Sequence, residues 1–425
     1  MPTGTAAPAS TVVPPQQSAT VVRTVTPPID PFAALGSLPF AASTVPQPAA
    51  ATPAPPEQPE QPPMDVTIAF TGDVLLHSQI NAAARTSKGW NYAPLFSPAS
   101  PWIRGADLAI CQLEVPLAPP GHAPSSYPVF AAPRPVVAGL ARDGWDGCAT
   151  ATNHSLDQGW AGIKTTVGAL KSNGMGYVGM ALSAKDANAA QFYQLTKDGQ
   201  TITVAHLSTA YGFNGFSEPK GKPWAVAKNN VKQIAKRAKA ARAAGADVVL
   251  LSVHFGTEYV TKPTASQKRF VAAIAKTGVI DAVIGGHPHV VEPITKVPGG
   301  VGGHGMWVAY SLGNFVSNMT QSLRTLGLID YVHVTKDANG ARVTGMTWAA
   351  VAVDLSGGKR VRVLEASAGK RLGTISAATA TSFRHTVHAI VGNKATEQTK
   401  PPKPSGTKLT VLPHGSRRTP AANTT

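Results

Sequence analysis

Six short apolar runs in this chain, TIAFTGD, ADLAICQLE, CATATNH, DVVLLSVHFG, DAVIGGHPH and WVAYSLGNF, each end on polar residues of metal-ligand type. Continuous apolar runs of this length, bounded by Gly and polar residues, read as strands buried on both faces, which parallel sheets contain. Residues just beyond the carboxyl ends of parallel strands converge on one crevice, so Asp73, Glu114, Asn153, His154, His254, His287 and His289 are expected to share a site. An inventory of carboxylate, amide and imidazole suits a pair of bound divalent metals.

Between the runs the pattern alternates with helices. Ile163, Val167 and Leu170 predict a helix over 161–173, stopped by Gly174. Val231, Ile234 and Ala238 predict another over 229–244, with lysines and arginines on its outer face. A third is expected over 265–277, opened by the capping-box pattern Thr264 to Gln267 and closed by Gly278. Short strands are expected at 175–180, 190–196 and 201–207, while 78–104 has no clear period. From residue 326 the alternation predicts a β-hairpin turning at Asn339-Gly340. The expected fold class is α/β, with mixed sheets in a two-sheet sandwich flanked by helices.

Composition limits the packed part. The chain has 425 residues, enough for a substantial core, but 37 Pro and 40 Gly imply that some of it is not packed. Residues 1–63 are Pro/Ala/Thr-rich with four charged residues (Arg23, Asp30, Glu57, Glu60) and are expected to form a disordered leader. Residues 398–425 carry five Lys/Arg and no acid and are expected to be a disordered basic tail. The folded domain is thus placed at 64–397. No basic n-region with a long apolar stretch marks a secretory signal, and no run reaches the roughly 20 apolar residues of a bilayer span. Cys111 and Cys148 both fall in core strands and are expected to be buried reduced thiols.

A net charge of +16 favours anionic partners such as polyanionic polymers, cell-wall phosphates, acidic lipid headgroups or nucleic acid, the alternative being a solvated basic surface. Nucleic-acid binding rests on that charge alone, and no aromatic-basic recognition motif supports it. The local chemistry is more specific. Gly72 before Asp73 allows close backbone approach to a ligand. Asn153 and His154 supply an amide oxygen and an imidazole, and Asp157 can orient that imidazole through its second nitrogen. Gly285-Gly286-His287-Pro288-His289 places two imidazoles one residue apart on a stiffened loop, aimed differently, as adjacent metals need.

The segments GDVLLH, CQLEVPL, ATNHSLDQGWAG, SVHFGTEY, DAVIGGHPHVVEP and YSLGNFV resemble, in order and spacing, the CapA (capsule-synthesis, poly-γ-glutamate) family of the calcineurin-like metallophosphoesterase superfamily, over about residues 65–320. That resemblance implies a four-layered αββα sandwich with two divalent ions (Mn, Fe or Zn) at the strand ends. It places Asp73 and His289 on the first metal, Glu114 between the metals, and Asn153, His254 and His287 on the second. His154, oriented by Asp157, becomes the general acid. Leu75 stands where the superfamily has a metal-binding His; His77, two residues further on, is either its substitute or a helix-start or solvent histidine.

The resemblance further implies hydrolysis of a phosphoester or related anionic bond in capsule or poly-γ-glutamate synthesis or export. The alternative is a noncatalytic accessory factor holding the polyanion in the same cleft. Its expected partners are poly-γ-glutamate or a phosphorylated envelope substrate, with membrane-bound capsule synthesis proteins. The expected location is the cell envelope, extracytoplasmic or membrane-associated.

Overall fold

The computed structural model describes residues 61–367 and 369–416. The leader expected at 1–63 falls almost wholly on residues 1–60, outside the described residues.

Among the described residues two large mixed sheets carry the fold, beside a two-stranded ribbon, Arg85–Thr86 with Gly89–Trp90. In the first, strands Met64–Val74, Leu108–Leu113, Gly147–Ala149 and Gly176–Val178 run parallel. The hairpin Leu326–Asp337 and Gly340–Asp354 extends this sheet antiparallel on its other side, followed by Arg360–Val363. In the second, Gln200–Ala210, Val248–His254, Ala282–Gly286 and Met306–Ala309 run parallel. Antiparallel strands Gln191–Lys197 and Ile294–Val297 flank them.

Side-chain alternation then builds four layers. Ile68, Phe70 and Ile110 from the first sheet pack against Val204, Leu250 and Ile284 from the second. The intervening Ala69, Ala109 and Cys111 point the other way, onto helices contributing Val136, Leu140, Ile163, Val167 and Leu170. On the far face, Leu207, Val249 and Leu251 meet Ile234 and Ala238 of helix Val231–Ala243 and Val271 and Ile274 of helix Ala265–Lys276. This αββα order is the one expected. Burial of each such Val, Leu or Ile contributes about 1.5–3 kcal/mol.

Helices Gly159–Ser172, Val231–Ala243 and Ala265–Lys276 lie where the sequence places them, the last with its Thr264–Gln267 capping box formed. The hairpin turns at Asp337 to Gly340. Other features differ. WVAYSLGNF is two strands, Met306–Ala309 in the second sheet and Asn314–Val316 in the first. Gly313, at φ 62°, makes the turn between them, and a Cβ there would lie 2.7 Å from the Leu326 carbonyl oxygen. The aperiodic 78–104 stretch holds three short helices, Ser78–Ala83, Ala93–Phe96 and Ser100–Arg104. Helices Pro135–Asp143 and Ala377–Val391 were not expected, and Ala380, Val387 and Val391 of the latter close one end of the inter-sheet core.

Two expectations are corrected. Cys111 and Cys148 form a disulfide, because they are register partners on adjacent parallel strands with Cα atoms 4.4 Å apart. The segment from residue 398 to 416 is not a disordered tail. Lys408–Val411 pairs antiparallel with the otherwise free edge of Gln191–Lys197. The Ser405 N–H, Ser405 Oγ and Thr407 Oγ1 donate to one oxygen of Asp107 at 2.8, 2.7 and 3.0 Å. Composition concealed the alternating KLTVL, whose Leu409 and Val411 pack on the inter-sheet core while Leu412 packs beyond the second sheet. Residues 417–425 lie outside the described residues.

Candidate metal centre

The two sheets bring their strand ends together. Asp73 ends a strand of the first sheet; a Cβ at Gly72 would strike the carbonyl oxygens of Leu312 and Gly313, so only glycine permits this approach. Across from it, a Cβ at Gly286 would lie 2.7 Å from Asp73 Oδ1. The His287 N–H donates to Asp73 Oδ2 at 3.1 Å, tying the two sheets at the site.

His287 and His289 both occupy the left-handed region, at φ 100° and 56°. Such backbone costs on the order of 1–3 kcal/mol per residue and persists where the surroundings hold it. Here it turns two successive imidazoles inward. His289 Nδ1 lies 3.4 Å from Asp73 Oδ2 and 3.1 Å from Asn314 Oδ1, while its Nε2 is 3.6 Å from Glu114 Oε1. His254 Nε2 lies 2.9 Å from Asn153 Oδ1 and 3.7 Å from the same Glu114 oxygen. The His287 ring stands 4.9 Å from that of His254. Six of the expected ligands, Asp73, Glu114, Asn153, His254, His287 and His289, therefore surround one buried space.

Four atoms in that space lack a protein hydrogen-bond partner: Asp73 Oδ1, both Glu114 carboxylate oxygens and His287 Nδ1. Buried acceptors without donors are costly unless a cation meets them. The Asp73, Glu114 and His289 ligand atoms all lie within 4.8 Å of one another, so the residues present fit a divalent ion.

The electrostatics agree. Burial pushes the Glu114 carboxyl well above its usual range, and neighbouring Asp73 adds to it. Burial alone would lower His289, but Glu114 and Asp73 outweigh it and hold the imidazole up at about 9. His287 falls to about 3 and His254 well below its usual value, first by burial and then by neighbouring histidines, which keeps both neutral and ready to donate electron pairs.

His154 sits beside this space. Its Nδ1 is 2.7 Å from Asp157 Oδ2, which also accepts the Phe130 N–H at 2.7 Å. Asn214 Nδ2 lies 3.4 Å from both ring nitrogens.

His77 stands apart from the converging ligand atoms. Its Nδ1 accepts the Asn318 N–H at 3.2 Å, its ring packs edge-on to Phe130, and burial lowers its pKa to about 4. His77 is the N-cap of helix Ser78–Ala83 and belongs to neither group of ligand atoms lying within 4.8 Å of one another, and Leu75 is buried core. The sequence reading overlooked Glu258, whose carboxylate groups with His287 and His289 within 4.8 Å. It also overlooked Tyr211, 4.6 Å from the His287 ring, and Asn314. Asn314 lies within the run WVAYSLGNF and Glu258 two residues after DVVLLSVHFG, so position was the only local signal for either; Tyr211 carried none.

Residues 67–319 match the family described as Bacterial capsule synthesis protein PGA_cap. The chain is 32% identical over 203 residues to the PGA biosynthesis protein CapA of Bacillus subtilis, covering 45% of this chain and 47% of that one. It is 26% identical over 258 residues to the capsule biosynthesis protein CapA of Bacillus anthracis, covering 59% of each. The matched part thus spans about half the length of these curated relatives. Among solved structures, the calcineurin-like phosphoesterase YfkN of Bacillus subtilis is similar at a TM-score of 0.39 and 13% identity, covering 77% of this chain and 98% of that one. With the family match extending over more than half of its residues, the chain belongs to the bacterial capsule synthesis protein family PGA_cap.

Proposed function

We propose that this chain is a metal-dependent hydrolase of the cell envelope, acting on a phosphoester or related anionic bond in capsule or poly-γ-glutamate synthesis or export. The observation that carries the reading is the set of partnerless buried atoms on Asp73, Glu114 and His287, with the His154–Asp157 pair beside them. Asp73 and His289 would hold one divalent ion (Mn, Fe or Zn), Asn153, His254 and His287 a second, and Glu114 stands near imidazoles from both sets. Bound there, such ions supply Lewis-acid charge for polarising the scissile bond and activating water.

The chain's own residues do the rest. Asp157 takes the Nδ1 proton of His154 in a hydrogen bond, which leaves Nε2 to pass a proton to the departing oxygen. Asn314 holds the His289 ring through Nδ1, whereas Asn153 Oδ1 and His254 Nε2, 2.9 Å apart, are both proposed ligands and would give up their mutual contact to the ion. Strain at His287 and His289 is a cost compatible with a preorganised site.

Two observations support an envelope location. Both curated relatives carry capsule or PGA biosynthesis in their names, and a disulfide suits an oxidising compartment. No helix among the described residues is long and apolar enough to cross a membrane. The net charge of +16 favours a second reading, a noncatalytic factor that holds poly-γ-glutamate in the same cleft.

Substitution separates the two. His154→Ala should keep the metal and lose turnover of an aryl phosphodiester by about 10² or more, the usual worth of a general acid. Wild-type protein that binds Mn²⁺ and polyglutamate yet hydrolyses no phosphoester or γ-glutamyl bond would instead establish the accessory role.

A further inference from the structure

We infer that Glu258 is a metal ligand that closes the centre from its solvent side. The inference rests on the reading of the cleft as a metal centre.

Glu258 lies in the irregular segment that follows strand Val248–His254, and its position is fixed at both ends. Upstream, the Phe255 N–H donates to the Gly286 carbonyl at 3.0 Å. Gly256 is at φ 115°, where a Cβ would come within 3.0 Å of both Gln267 and Pro288. Downstream, the Tyr259 N–H donates 2.7 Å to the carbonyl of Pro288, the residue between the two site histidines. The Arg324 guanidinium caps the Tyr259 ring at 3.4 Å from its centre. The segment is thus fastened onto the His-Pro-His loop, with Glu258 between the anchors.

Its carboxylate is exposed, whereas the imidazoles it meets are 3% and 2% exposed. One ligand atom each from Glu258, His287 and His289 lie within 4.8 Å of one another. That spacing needs only small side-chain movement to reach a common ion at about 2.0–2.2 Å from nitrogen and oxygen ligands. Among the described residues the ion pairs of Lys and Arg go to other acids, the Glu258 carboxylate neighbours the Tyr259 hydroxyl, and His287 Nδ1 has no hydrogen-bond partner. Asp73 and Glu114 supply acid ligands from the buried side, so Glu258 completes the set where an incoming anionic substrate arrives.

The test compares Mn²⁺ binding by calorimetry, and the visible spectrum of the Co²⁺-loaded protein, for wild type, Glu258→Gln, Glu258→Asp and Glu218→Gln. Glu218 is an acid paired with Lys228, so its substitution controls for the loss of one negative charge. Glu258→Gln should weaken Mn²⁺ binding about tenfold or more and change the Co²⁺ spectrum, while the metal-free melting temperature stays at the wild-type value. Glu258→Asp should also weaken binding, because its shorter arm keeps the charge but not the reach. Glu218→Gln should bind as wild type does. Wild-type affinity and spectrum in Glu258→Gln would overturn the assignment and leave the metal centre standing. Wild-type affinity in Glu258→Asp, with loss only in Glu258→Gln, would reduce Glu258 to an electrostatic neighbour and overturn it equally. Absence of metal binding by the wild type would remove both this inference and the reading beneath it.

Discussion

Asp330→Asn should stabilise the protein at alkaline pH and lose that advantage in acid. Asp330 lies on strand Leu326–Asp337 opposite Phe70 and Trp348, with Leu328 and Val332 of the inter-sheet core on either side. It is fully buried, and neither carboxylate oxygen has a partner. Burial pushes its pKa up to about 8, from about 3.9 in the unfolded chain. A folded pKa raised in this way gives stability that is complete below about pH 4 and is lost as pH rises towards 8.

Within that window the native state holds a proton that the unfolded state releases, and stability falls by about 1.4 kcal/mol per pH unit. From about pH 5.5 to 7.5 the wild type should therefore lose up to roughly 3 kcal/mol through this one group. Asparagine cannot ionise and leaves a polar group in the same place. Buried neutral histidines such as His206, lowered to about 3 chiefly by desolvation, act with the opposite sign but equally in both proteins, so they cancel in the difference. Urea unfolding of both proteins at the two pH values, with chelator present throughout, measures that difference. A stability difference that stays flat across the range would show that Asp330 ionises normally, and the argument from burial would be wrong.

Truncation after residue 398 should lower the melting temperature by several degrees, since it uncovers the Gln191–Lys197 edge and strips Asp107 of three donors; an unchanged melt would show that the segment adds nothing. Reducing the Cys111–Cys148 bond, or replacing both residues by alanine, should cost about 3–4 kcal/mol by the entropy of a loop with sequence separation 37, read by urea unfolding with and without reductant. If the basic surface holds an anionic polymer, polyglutamate binding should weaken steeply as salt rises past 0.1 M, where exposed charges are screened beyond about 10 Å; salt-insensitive binding would point to a shaped pocket.

Much of the centre was legible because parallel strands impose it. Once DVVLLSVHFG and DAVIGGHPH are read as neighbouring parallel strands, their terminal His254, His287 and His289 gather at one edge, and the packing of the two sheets brings Asp73 from TIAFTGD to the same end. Position alone does not fix the surroundings of His77, which Phe130 and Asn318, remote in sequence, supply. Glu258 was missed for a similar reason: its approach to His287 depends on the contact between Tyr259 and Pro288. Local pattern also underestimated long-range pairing. Cys111 and Cys148 become partners only through strand register, and Lys408–Val411 is a strand only because an unpaired edge awaits it.

Metal content tests the central claim most directly. Purified wild type, stripped and reloaded with Mn²⁺ or Zn²⁺, should bind divalent metal and melt at a higher temperature with it, because a ligand that binds only the folded state stabilises that state. Glu114→Ala and His289→Ala should lose both bound metal and the thermal gain, since their side chains, 3.6 Å apart, stand at the middle of the converging ligands. A wild type that carries no metal, gains none on reloading, and melts identically with and without it would contradict the account.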